Sequence, residues 1–386
     1  MPPSTADTRA RAAVAGVFLT NGALYASVVP RLPEIKAGLE LSNAALGTAI
    51  AASPLGALVA GLFAPALINR LRSSRVAALG IVALAVAVVA IGLAPGWPAL
   101  ALAMFAAGAL DSVVDVAQNT HGLRVQRRYG RSIVNSFHGL WSIGAVSGGL
   151  LGSAAAGLAV PLAAHLISAA VLFSVIAVVC YRFMLPGPDD SERAPSIHAS
   201  GRVWWPLVAL GVLAACGALV EDSGSSWSAI YLSGSLGAGA AVAGLGFVCL
   251  QTAMTVGRML GDRVTDRFGQ RRVVRWGGVL AAVGMGLALA VPSVGTTLVG
   301  FTLAGLGTAT LVPAAMHSAD ELPGLASGVG LTVVSWMLRI GSLVAPPVTG
   351  LVADAISLRV GLLSVVFAGV VVWLLGRTLA NSPTHH

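Results

Sequence analysis

The chain has 386 residues, 56% of them hydrophobic and only 10% charged, against roughly 25% charged in soluble domains. So few charges cannot cover the surface of a soluble fold, and the composition predicts an integral membrane protein. The formal net charge of +8 would suggest nucleic acid in a soluble protein, but here the basic residues stand in short stretches between apolar runs and report topology, with no nucleic-acid partner expected.

A spanning helix needs about 20 mostly apolar residues. Twelve stretches meet that need, at 11–30, 44–68, 76–95, 98–119, 133–157, 160–183, 203–223, 240–262, 273–292, 296–316, 324–350 and 357–378. The first reads as a retained helix, because no Ala-x-Ala cleavage pattern followed by a soluble domain is present. Most connections are short. The exception, 186–202, contains Pro, Ser and Asp and reads as a linker between two six-helix halves, 1–185 and 203–386. Cys180, Cys216 and Cys249 each fall in a different apolar run, without metal-ligand or disulfide spacing, and are expected to be small buried hydrophobes.

Loop charges test the count. With the N-terminus inside, 18 of the 23 Lys and Arg fall on or near the cytoplasmic side. Only Arg31, Lys36 and Arg359 fall outside, while Arg258 and Arg339 lie within helices. An odd number of spans would scramble this positive-inside bias, so both termini and the linker are expected in the cytoplasm. The halves also repeat. Asn69-Arg70-Leu71 aligns with Asp266-Arg267-Phe268 at an offset of 197 (266 − 69), and the same offset carries Ala107-Gly108 onto Ala304-Gly305 and Ile143-Gly144 onto Ile340-Gly341. Such duplication is a common architecture of transporters, with the substrate site at the repeat interface.

The densest chemistry lies in 106–152. Asp111 and Asp115 are i, i+4 and share a helix face. A basic loop follows with Arg124, Arg127, Arg128 and Arg131, and the next helix carries His138, Trp141 and a Gly144-xxx-Gly148 spacing. An ionisable group at the centre of a spanning helix costs at least ~2.5 kcal/mol, so such groups usually mark a transport pathway. Asp111 is therefore expected to carry a coupling proton, with Asp115 and His138 as its relay. Asp115 competes as a structural partner for a basic loop residue, and His138 as a hydrogen-bonded bundle residue. Trp141 either stacks on a ring-bearing substrate or fills core space.

Other polar residues extend the candidate substrate site. Asn21 and Tyr25 share a face of the first helix. Glu221 and Asp222 stand ahead of Gly224 and Trp227, where a broken helix lining a vestibule competes with acids that simply mark the membrane boundary. Arg258 and Asp262, i, i+4, suit a structural pair. Arg339 lies too deep in its helix to snorkel, so it needs either an intramembrane acid or a substrate anion.

The run Gly261-Asp262-Arg263-Val264-Thr265-Asp266-Arg267-Phe268-Gly269-Gln270-Arg271-Arg272 resembles the loop signature of the major facilitator superfamily, D-R-x-G-R-R in its core. The resemblance implies a gating loop built from Arg258, Asp262, Asp266, Arg267, Gly269, Arg271 and Arg272. An acid closes one helix, a glycine permits the tight turn, and arginines anchor at the headgroups. The first-half equivalent, Asn69 to Arg75, lacks both the acid and the glycine. Asp115-xxx-Asn119, Ser136-Phe137-His138-Gly139, the stretch from Glu221 to Trp227 and Gly257-Arg258 are similar to the YbjJ-type bacterial inner-membrane transporters. The proton-antiporter pattern is incomplete, with Met104 where those proteins carry arginine and no proline in Gly144-Ala145-Val146-Ser147-Gly148-Gly149.

The expected fold is all-α, twelve transmembrane helices in two pseudo-symmetric six-helix bundles. The expected function is secondary active, proton-coupled transport of a small polar or amphipathic molecule, by a monomer in the bacterial cytoplasmic membrane. Drug or metabolite export and non-transporting sensing are the rivals. No phosphate loop, metal cluster or nucleophile–base set points to an enzyme, and no cofactor or metal is expected.

Overall fold

The computed structural model describes residues 4–129, 133–187, 204–322 and 329–379, apart from the side chains of Asn135 and Asp262. Arg131 and most of the 186–202 linker therefore lie outside the described residues. Among those residues no strand occurs, and twelve helices are long and apolar enough to cross a membrane. The chain forms two compact units: Met1–Leu41 with Thr48–Glu192 and Gly239–Gly244, and Ser42–Gly47 with Arg193–Ala238 and Leu245–His386.

The first unit opens with α1 (Thr5–Ala26), whose Ser4 and Asp7 form a capping box that satisfies two free amides of the first turn. Pro30 and Pro33 start a 3-10 turn, Val29–Arg31, and the short α2 (Leu32–Gly38). Then come α3 (Asn43–Gly61), α4 (Ala64–Leu71), α5 (Ser73–Gly92), α6 (Trp97–Tyr129), α7 (Val134–Gly157) and α8 (Leu162–Tyr181). The predicted single helix 44–68 is divided. The ring of Pro65 would collide with the carbonyl of residue 61, and α3 stops there.

The second unit contains α9 (Trp204–Ile230), most of α10 (Ala240–Phe268), α11 (Gln270–Ala290), α12 (Val294–Thr308), α13 (Leu311–Asp320), α14 (Val329–Ala355), α15 (Leu358–Gly361) and α16 (Leu363–Leu375). Pro313 divides the predicted 296–316 helix by the same collision, here with the carbonyl of Ala309. The break considered near Gly224 is absent. Helix α9 runs unbroken to Ile230 and loosens only in a π turn at Tyr231–Ser235. Gly224 serves packing instead, since a Cβ there would lie 2.4 Å from Leu250 Cδ1. At the start of α3, counted within this unit, the Asp354 carboxylate accepts from the backbone amides of Asn43 and Ala44 at 2.9 and 2.7 Å and so caps the helix.

The repeat persists in three dimensions. A Cβ on Gly108 would lie 1.9 Å from the Ser53 carbonyl oxygen, and one on Gly305 would lie 2.3 Å from that of Leu250. Both members of the pair shift by 197 residues (305 − 108 and 250 − 53). The turn before α11 is made by Gly269 at φ 82°, ψ 140°. Its counterpart 197 positions earlier is Arg72, at φ 76°, ψ 144°. That conformation suits glycine and strains any residue with a Cβ by about 1–3 kcal/mol. Arg72 is exposed, so little packing would be lost on its removal. Arg72→Gly is accordingly expected to stabilise the protein by about 0.5–1 kcal/mol after the added freedom of the unfolded chain is subtracted. A thermal midpoint in detergent below that of the parent protein would contradict the strain.

Arg31, expected outside as a topological charge, is a buried side chain with 1% of its surface exposed. Its guanidinium donates to Glu34 and, at 2.8 Å, to the Val160 carbonyl oxygen, tying the end of the first span to the α7–α8 turn. Apolar covering of a cation is tolerable here because a carboxylate and a carbonyl oxygen accept from Nε and Nη2, while Nη1 is buried without a partner among the described residues.

Candidate functional site

In the first unit, α1 and α7 touch along a row of small residues. Cβ atoms placed on Gly144, Gly148 and Gly152 would lie 2.1, 2.2 and 2.5 Å from the carbonyl oxygens of Leu19, Ala23 and Ser27. Four-residue spacing on both helices makes the contact continuous, as small residues do between membrane helices. This close approach brings the polar side chains of α1, α6 and α7 within bonding distance of one another.

Two parallel chains of hydrogen bonds result. Asn21 Nδ2 donates to Asp111 Oδ1 at 2.8 Å, and Trp141 Nε1 donates to Asn21 Oδ1 at 2.8 Å. The indole can only donate, so the amide orientation is fixed: its oxygen meets the ring and its NH2 meets the acid. Lower on α6, Asn119 Nδ2 donates to Asp115 Oδ1 at 3.0 Å, and His138 Nε2 stands 3.1 Å from Asn119 Oδ1. Because the amide nitrogen faces the acid, the amide oxygen faces the imidazole, and His138 donates from Nε2. Each chain runs from ring N–H through an asparagine to a carboxylate. The acids are i, i+4 on α6 and the rings are i, i+3 on α7, so helical periodicity alone sets them in register.

Asn21 is buried, whereas Asp111, Asp115 and Trp141 are half-buried and His138 is exposed. The His138 ring also meets Phe18 edge-on, with centroids 5.2 Å apart. The structure thus brings together Asn21, Asp111 and Trp141, and joins Asp115 to His138 through Asn119. Tyr25, one turn beyond Asn21, is half-buried. The sequence signal for the role of Asn119 is its i, i+4 spacing from Asp115.

His121 was missed altogether. It is fully buried on α6, with Nδ1 2.8 Å from Ser73 Oγ, while the backbone N–H of Leu185 donates to its Nε2 at 3.1 Å. Since Nε2 accepts, Nδ1 carries the hydrogen and the ring is neutral as bound. It fastens the start of α5 and the chain leaving α8 to the same helix that holds both acids. Its sequence signal, a histidine near a helix end, does not distinguish it from an exposed one.

In the second unit, Arg258 Nη2 lies 3.6 Å from Glu221 Oε2, with each side chain about one-third exposed. At that exposure the pair is worth about 0–1 kcal/mol. The expected partner on α10, Asp262, has its side chain outside the described residues. Asp222 meets the Ser342 side chain of α14, and its Oδ2 is buried without a hydrogen-bond partner among the described residues. Trp227 of α9, expected at the substrate site, has 1% of its surface exposed and is enclosed in the bundle. Arg339 is half-buried near the middle of α14, and among the described residues no carboxylate pairs with it. In the gating loop, Asp266, Arg267 and Arg272 are exposed and Arg271 is half-buried, while Gly269 adopts the positive φ that its place in the turn required.

Twelve membrane-length helices, an internal duplication and ion-bearing spans define a multi-pass transport protein. A model of the Major Facilitator Superfamily matches residues 210–385. The chain is 30% identical over 351 residues to the uncharacterized transporter y4wD of Sinorhizobium fredii, covering 90% of this chain and 92% of that one. It is 27% identical over 350 residues to an uncharacterized MFS-type transporter of Yersinia pestis, covering 89% and 88%. A crystal structure of a bacterial homolog to the human lysosomal transporter Spinster shares the fold, with a TM-score of 0.77, 14% identity, and coverage of 97% of this chain and 98% of that one. The chain belongs to the major facilitator superfamily, and it is a transporter rather than an enzyme.

Proposed function

We propose that the protein is a secondary active transporter that moves a small polar or amphipathic molecule by alternating access, coupled to protons. The observation that carries this reading is the pair of acids in α6, Asp111 and Asp115, each held by an asparagine that is itself held by a ring N–H. A carboxyl kept inside an apolar span is costly, and transporters keep such groups as proton carriers. Asp111 carries the coupling proton, and Asp115 with His138 supports it. Asn21 and Trp141 orient the acid, and Asn21, Tyr25 and Trp141 also offer polar and aromatic contacts to substrate. In the other half, Arg339 receives an anionic group of the substrate, and Glu221 and Asp222 supply further polar contacts around α9.

The protein acts as a monomer in the cytoplasmic membrane with both termini inside; the bias of 18 basic residues against three supports the orientation. The loop around Asp266, Arg267 and Gly269 latches one access state. Flux in proteoliposomes tests the whole reading. Uptake of a substrate found by ligand-induced thermal shift should respond to an imposed pH gradient. Accumulation with the proton flow marks symport, and accumulation against it marks the exporter alternative. Specific binding without flux in either direction would make the protein a sensor and overturn the proposal.

A further inference from the structure

The helices α10, α11 and α12 enclose a groove of about 680 Å³ in the second unit, lined in part by Arg272 of the gating loop but by none of the residues assigned above to proton or substrate. Its walls are Leu260, Val264, Phe268, Trp276, Leu280 and Leu306. Several are outward-facing, with Trp276 70% and Phe268 52% exposed. The floor is low because glycines meet there. A Cβ on Gly277 would lie 2.0 Å from the Gly307 carbonyl oxygen, and one on Gly307 would lie 2.3 Å from that of Gly277. Larger residues would hold α11 and α12 apart and fill the space that these leave.

One charged residue lines the groove. Arg272 sits at the α10–α11 turn, and Leu280 lies eight residues along α11, roughly 12 Å away at 1.5 Å per residue. Three neighbouring arginines already have contacts. Arg267 lies over the Phe268 ring, Arg271 donates to the Arg377 carbonyl, and Arg275 donates to the Trp373 carbonyl. Arg272 is exposed, and among the described residues no carboxylate pairs with it. A cation at the polar end of a span, continuous with an apolar slot running inward, matches one kind of molecule: a negative headgroup joined to a hydrocarbon chain.

We propose that this groove is a specific site for an anionic phospholipid, its phosphate on Arg272 and one acyl chain lying along Trp276 to Leu280. The site is independent of the transported substrate. Charge complementarity selects the lipid, because among the described residues the slot's remaining lining offers a zwitterionic headgroup no carboxylate to meet its ammonium.

Tryptophan quenching in reconstituted full-length protein tests the site. The lipids are phosphatidylglycerol or phosphatidylcholine with identical brominated chains, and the Trp276 signal is the difference between the parent protein and W276F. Brominated phosphatidylglycerol is expected to quench Trp276 at about fivefold lower mole fraction, the size of one arginine's preference for anionic lipid. R272Q should erase that preference, and R272K should keep it, which separates lost charge from lost fold. Equal quenching by the two headgroups, a preference that survives R272Q, or competition by inorganic phosphate would overturn the proposal. So would shielding of Trp276 from both lipids by a second copy of the chain.

Discussion

Asp111→Asn should abolish pH-driven accumulation of substrate while sparing exchange at equal pH. The structure makes this substitution unusually clean. Asn21 Nδ2 donates to Asp111 Oδ1, and an asparagine at 111 still offers a carbonyl oxygen at that point, so the chain to Trp141 keeps its geometry. What is lost is the ability to exchange a proton. Accumulation should fall by at least tenfold, to the level set by equilibration, while counterflow stays within about twofold, as expected when only the coupled step is removed. Asp115→Asn should be milder, since Asp115 lies nearer the end of α6 and its amide partner Asn119 is on the same helix. If Asp111→Asn still concentrates substrate as the parent protein does, the assignment is wrong. Glu221 or Asp222, the latter with an enclosed Oδ2 that has no hydrogen-bond partner among the described residues, then becomes the acid to test.

The second large effect concerns the fold that holds this site. Gly148→Leu is expected to prevent α1 and α7 from meeting. The first added carbon would lie 2.2 Å from the Ala23 carbonyl oxygen, and backbone cannot turn aside as a flexible side chain can. Overpacking costs typically about 1–3 kcal/mol and more where nothing can yield, so loss of a monodisperse, folded species in detergent is expected. Gly139→Ala on the same helix is the control. A Cβ there meets nothing within 4 Å, and alanine is the better helix former by about 1 kcal/mol. Size-exclusion profiles and thermal midpoints read both variants. A Gly148→Leu protein as stable as the control would show that the helices can separate without penalty.

The spans were legible because their signal is length and hydropathy, which a bilayer requires of any helix crossing it. Where the structure divides a predicted span, local sterics account for it, whereas α6, expected to end at 119, runs on to Tyr129 and takes Arg124, Arg127 and Arg128 into helix instead of a loop. Pro65 and Pro313 each cut a predicted helix, whereas α9 runs on through Gly224, whose bare α-carbon packs against Leu250. The acids and rings of α6 and α7 were also legible one helix at a time, from i, i+3 and i, i+4 spacing. Their connection was not. That Asn21 joins Asp111 to Trp141 depends on how closely α1 approaches α7, which is a property of three glycines and their partners' carbonyls. Arg31 and His121 show the same limit from the other side. A polar residue near a helix end reads as solvated, and only its acceptors in other elements reveal that it is buried.

The turn at Arg72 carries a consequence for how the two copies have diverged. At position 69 the first copy has asparagine where the second has Asp266, and at 72 it has arginine where the second has Gly269. Yet the backbone still bends through nearly the same angles. The bend is therefore imposed by the helices on either side, not by the residue at its apex. Ancestry survives in the shape after it has faded from the letters. One corner of the molecule has kept both its curvature and its acid, and its twin has kept the curvature alone.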